Sequence, residues 1–217
     1  AALLELPASI GDIRLGHAYH SATEMARVGG DFYDAFDMGR DKTALLIGDV
    51  AGHGIEAART ATLVRDVINA FTHQSHRPEE VLRRTNQLLI SKRLAGFVTL
   101  FLVILDRDTQ LMRYASAGHP QAILRRASGP MRLLGTGSPP LGVFQDARWQ
   151  SEHETLEPGD LVLLYTDGVT EARATGTFLG EEGLLRLVET ATTPTEQLPE
   201  RIAEAVITFA EGALVDD

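Results

Sequence analysis

The sequence contains no cysteine, so it can form neither disulfides nor thiolate metal sites. That absence fits a cytoplasmic protein. Nor is there a surplus of base: 30 acidic residues stand against 20 basic ones, for a formal net charge of −10. A surface of that sign argues against nucleic-acid backbones and anionic membranes as partners. No apolar run approaches the roughly 20 residues that a membrane span needs. The first residues, AALLELPASIGDIRLG, lack the basic start and long apolar stretch of a signal peptide. Repeats, low-complexity blocks and linker-like stretches are also missing, so the 217 residues are expected to form one domain with a sizeable core.

What is present reads mostly as hairpins. Residues 13–20 alternate weakly and predict a strand. Residues 28–38 and 43–50 flank the polar turn Gly39-Arg40-Asp41-Lys42 and predict a β-hairpin. Ala57, Ala61, Val64, Ile68 and Phe71 recur at helical spacing, predicting a helix over 54–73. Pro78, followed by Glu79 and Glu80, opens a second helix to about Leu94. GFVTLFLVILD (96–106) is apolar almost throughout and predicts a strand buried on both faces. LMRYASA is its partner, and QAILRR and MRLL form another hairpin across the turn ASGP. Residues 135–144 read as a loop, ARWQSEHETL as an alternating strand and LVLLYT as a second buried strand. Helices are expected near 181–191 and 195–210. Hairpins with helix pairs inserted indicate an α+β fold with antiparallel sheets. Two stacked sheets with outer helix layers would cover both buried strands.

Aspartates end several of these segments. If the first hairpin turns about Arg40, opposed residue numbers sum to 80 and Asp31 faces Asp49, unless a bulge at Gly29-Gly30 shifts the register. Like charges directly opposed on a sheet are destabilising, and a divalent cation is the obvious remedy. Asp167 ends LVLLYTDG, and Asp216 and Asp217 follow the apolar GALV. An isolated Asp-Gly after a strand reads as a turn, and an aspartate before a helix as a cap. Recurrence and the facing pair point instead to a site of oxygen ligands, which selects Mg²⁺ or Mn²⁺ and suits water attack on phosphorus. A competing pattern is G-x-G-x-x-A at Gly52-His53-Gly54-Ile55-Glu56-Ala57. A dinucleotide fingerprint needs a strand–helix–strand unit, and here one helix is followed by another.

ARVGGDFYDAF, LLIGDVAGHGIEAA, FVTLFLVILD, SAGHPQAIL, LLYTDGVTEAR and a late VDD occur in this order. Together they resemble the SpoIIE/RsbU-type branch of the PP2C (PPM) metal-dependent serine/threonine phosphatases, over residues 13–217. The resemblance implies a β-sandwich of two mainly antiparallel sheets flanked by helix layers. It implies two Mn²⁺ or Mg²⁺ ions held by Asp31, Asp49, the Val50 carbonyl, Asp167 and Asp216. Asp31, Asp49 and Asp167 would be the catalytic carboxylates around a metal-activated water, with Gly168 letting the chain turn close to an ion. Arg27 and His53 are candidates for the substrate phosphate. Arg27 stands one position off the family spacing. His53 lies two positions beyond the histidine of the eukaryotic branch, where this chain has Ala51, and reads equally as a brace of its loop. His119 in SAGHP reads as structural. The implied substrate is a phosphorylated anti-anti-sigma (STAS) protein in a bacterial partner-switching pathway, such as stress-response control of a sigma factor. An upstream sensor domain, with residues 1–12 as the remnant of its linker, and a homodimer are further expectations. So is a family strand after Asp217 that is missing here. The alternative is a catalytically weak or inactive regulatory module on the same fold.

Overall fold

A computed structural model describes residues 5–20, 30–94, 96–135, 137–174, 176–191 and 195–211. The hairpin of β3 (Phe32–Gly39) and β4 (Lys42–Val50) sets the frame of the site. Arg40 and Asp41 both take left-handed backbone, with φ of 50° and 57°. That is the tight turn whose twist matches the strands it joins. Tyr33 pairs with Ile47 and Phe32 with Gly48, which is the expected register. The irregularity falls between Asp37 and Gly39, at the turn. At the far end the Val50 amide donates to the Gly30 carbonyl at 3.2 Å, so the register holds past Asp31, which lies opposite Asp49.

Helix α1 (Ile55–Thr72) buries Ala57, Ala61, Val64 and Ile68 along one stripe, and α2 (Pro78–Lys92) follows it. Strand β5 (Val98–Asp106) pairs with β4 on one side and with β6 (Leu111–Ala117) on the other. Its unbroken apolar run has a direct cause. Leu100 and Leu102 pack toward the α1–α2 layer, while Phe101, Val103 and Leu105 pack toward a second sheet. That second sheet contains β7 (Ala122–Arg125), β8 (Arg132–Leu134) and β10 (Leu161–Leu163), in the order β10-β7-β8. β9 (Glu152–Thr155) closes the first sheet, ordered β3-β4-β5-β6-β9. On the outer side of the smaller sheet, Ile123 and Leu161 meet Leu184 and Val188 of α4 (Gly180–Thr190) and Leu198 and Ile202 of α5 (Leu198–Glu211). The layers run helix, sheet, sheet, helix, with apolar clusters between them.

Three strand expectations are corrected. Of residues 13–20, only Ile13–Arg14 form a strand (β2), paired with Ser9–Ile10 (β1). The rest runs along the entry to α5, so close that a Cβ on Gly16 would stand 2.6 Å from the Thr195 carbonyl oxygen. In ARWQSEHETL the strand is confined to β9. Trp149 turns into the helix-side core, and its indole N–H donates to the Pro139 carbonyl at 2.9 Å. LVLLYT is a strand only at β10, an edge strand with Leu161 buried and Val162 and Leu163 half-buried. The short α3 (Asp167–Thr170) and the hairpin of β11 (Arg173–Ala174) and β12 (Thr177–Phe178) were not foreseen.

Candidate active site

Separate segments bring carboxylates to one end of the sandwich. Asp31 lies just before β3, Asp49 near the end of β4, and Asp167 opens α3 shortly after β10. Asp31 and Asp49 are half-buried, and Asp167 is exposed. Gly30 explains how the first two approach. A Cβ there would overlap the Val50 carbonyl oxygen and stand 2.7 Å from Asp49 Oδ1. The missing side chain therefore leaves room for a carboxylate and a carbonyl side by side. Beyond Val50, Gly52 and Gly54 take φ of 119° and 80°, which lets the chain turn sharply into α1.

The carboxylates feel one another. Burial and the charges of Asp49 and Asp167 push the Asp31 carboxyl up to about 6, partly offset by a hydrogen bond from Thr166. Asp49 is also raised, by burial and then by the Asp167 charge, against a hydrogen bond from the Val50 amide. The end of the β3–β4 hairpin and the start of α3 thus hold like charges near one another in a partly dry setting, which is unfavourable for the protein alone. Among the described residues, no three acidic or histidine side chains stand close enough together to enclose a metal ion.

Between Asp49 and Asp167 lies a cleft of about 300 Å³, lined also by Thr99, His119, Gln121 and Thr166. His119 was read from the sequence as structural, yet it sits on this cleft. SAGHP runs from the last two residues of β6 into the loop before β7, and the position of that loop at the site end is the signal that could have marked it. His53 is exposed on the turn before α1 and does not line the cleft. Asp216 and Arg27 lie outside the described residues. Gly168 has no crowding that demands glycine, since a Cβ would meet only Thr166 Oγ1, at 3.9 Å.

The family description "Stage II sporulation protein E (SpoIIE)" matches residues 39–217. The chain belongs to the SpoIIE family. Among SpoIIE relatives, it is 27% identical to the phosphoserine phosphatase RsbU of Bacillus subtilis, over 88% of this chain and 58% of that protein. Among solved structures, the RsbU and RsbW domains of Rv1364c from Mycobacterium tuberculosis align with a TM-score of 0.71 at 26% identity, over 89% of this chain and 53% of that one. The PP2C phosphatase domain of Bacillus subtilis SpoIIE aligns with a TM-score of 0.79 at 20% identity, covering 94% of this chain and 61% of that one. The fold is therefore the PP2C α+β sandwich. The chain spans 38 to 58% of the length of the first three curated relatives it matches. Among the described residues, no helix is long and apolar enough to cross a membrane.

Proposed function

We propose that this SpoIIE-family chain is a metal-dependent protein serine/threonine phosphatase. It hydrolyses phosphoserine or phosphothreonine on a regulatory protein, water taking the phosphoryl group and the serine or threonine hydroxyl leaving. The observation that carries the reading is the convergence of Asp31, Asp49 and Asp167, with Asp31 pushed up to about 6 by burial and its acidic neighbours. Charges held against each other in this way suit a cation, and an all-oxygen donor set suits a hard one. Asp31, Asp49, the Val50 carbonyl and Asp167 would hold Mn²⁺ or Mg²⁺, with Asp216 as a further ligand. The bound metal would supply the Lewis acidity that activates water toward a phosphate ester. The cleft between Asp49 and Asp167 would receive the phosphorylated side chain, with Gln121 offering a polar group on its wall.

Membership of the SpoIIE family, with relatives named as phosphoserine phosphatases, supports the coarser reading; we extend it to a phosphorylated STAS-type substrate in a cytoplasmic partner-switching pathway, with a sensor domain upstream. The test is phosphate release in Mn²⁺ from a panel of phosphorylated STAS proteins. Wild-type protein is expected to turn over, and Asp49→Asn to lose at least about a hundredfold. Equal activity, or equal inertness, would sink the mechanism. A second reading, an inactive regulatory module, is favoured by the lack of a three-ligand group among the described residues. Calorimetric titration with Mn²⁺ separates the two, because a module of that kind would not bind the ion.

A further inference from the structure

His119 makes contacts that neither the fold's apolar packing nor the carboxylate site accounts for. It is 7% exposed and sits where the chain leaves the larger sheet for the smaller one. Its Nε2 lies 3.1 Å from the Tyr165 carbonyl oxygen. A carbonyl only accepts, so Nε2 carries the proton. Its Nδ1 lies 3.0 Å from Thr99 Oγ1. Burial holds the ring neutral, at a pKa lowered to about 4, so Nδ1 presents a lone pair and the Thr99 hydroxyl donates to it. The backbone is pinned as well: the His119 amide donates to Ser116 Oγ at 3.3 Å, and that hydroxyl donates to the His119 carbonyl at 3.2 Å.

The two ring partners are not arbitrary places. Thr99 on β5 is the cross-strand partner of Asp49 on β4. Tyr165 is two residues before Asp167. We propose that His119 is a positioning residue whose two ring hydrogen bonds tie the Asp49 side of the cleft to the Asp167 side and fix the gap between these carboxylates. Deeper in the sandwich the sheets meet through Phe101, Val103, Ala122 and Leu124, an apolar contact without directional bonds. A hydrogen-bonded bridge at the cleft end specifies distance and direction as well as contact. The proposal rests on the phosphatase reading, because the gap matters only if one cation must reach both sides.

The test uses the full 217-residue chain. Mn²⁺ affinity is measured by calorimetry for wild type, His119→Leu, Thr99→Val and Thr99→Ser, with thermal melts to check folding. Loss of the bridge in His119→Leu or Thr99→Val is expected to weaken Mn²⁺ binding about 10- to 100-fold, while Thr99→Ser, which keeps the hydroxyl, stays within about threefold of wild type. Phosphate release should fall in kcat with KM little changed. A histidine that only fills the core would alter the melts and leave Mn²⁺ affinity alone, so wild-type affinity in His119→Leu and Thr99→Val overturns the proposal. If His119→Leu does not fold, Thr99→Val against Thr99→Ser decides, and equal affinities overturn it. A wild type that binds no Mn²⁺ overturns the phosphatase reading and this proposal together, an outcome distinct from wild-type-like binding by the variants.

Discussion

Asp31 and His119 are perturbed in ways that share one cause, burial at the cleft end of the sandwich. Burial resists charge, so the Asp31 carboxyl is pushed up and the His119 imidazole down. For His119 the consequence for stability has a definite sign. Its folded pKa of about 4 lies below its ordinary 6.5, so the unfolded chain takes up a proton first as pH falls. The contribution of neutral His119 is complete above pH 6.5, is lost progressively toward pH 4, and is lost to the extent of about 3 kcal/mol below that. Urea denaturation of wild type and His119→Leu between pH 7 and 4 should therefore show the wild type losing more stability than the variant. Parallel curves would mean that the ring is not held neutral by the fold. The aspartates were legible as candidates because each follows an apolar or glycine-rich segment. For His119 the loop position could mark nearness to the site, but nothing local says which carbonyl and hydroxyl it will meet.

At the scale of elements, the turn and register of the β3–β4 hairpin were legible, though β3 begins at Phe32 rather than at residue 28. A polar four-residue turn between two alternating runs sets which residues face each other, and the observed pairs follow from it. The approach of Gly30 to Val50 and Asp49 was not legible, although the glycine was visible. Gly30→Ala is expected to force the Val50 carbonyl and Asp49 away, at about 1–3 kcal/mol of stability measured by urea melts. It should lower phosphate release further than that loss of stability explains. An unchanged melt would mean that the strand ends give way freely. The misread strands at 13–20 and 147–156 failed for one reason. Alternation reports which side chains want burial, and here Trp149 and the segment around Gly16 satisfy that want by packing elsewhere than on a sheet.

For the whole molecule, a divalent cation at the carboxylate end would link regions far apart in sequence, because Asp49 lies on β4 of the larger sheet and Asp167 opens α3, four residues after the smaller sheet's β10. Ion binding to the folded state alone should then stabilise it. At a hundredfold excess over its Kd, Mn²⁺ is expected to add about 2.7 kcal/mol, a rise in Tm on the order of 5–10 °C over protein in chelator. Asp49→Asn should show little of that rise in a thermal shift assay. The same rise in Asp49→Asn would place the ion elsewhere. The layered architecture was within reach of the sequence, since a continuous apolar strand such as 98–106 must be covered on both faces, and hairpins alternating with helix pairs offer few other ways to do it. By itself the sequence determined what short-range chemistry governs: the helix stripes, the hairpin register that sets Asp31 against Asp49, and the placing of acids at segment ends. Only the tertiary structure decided that Asp167 would face Asp49 across a cleft and that His119 would bridge the two sides. Those relations depend on how two sheets stack, and stacking is set by the summed apolar packing of residues far apart in the chain, which no local pattern encodes.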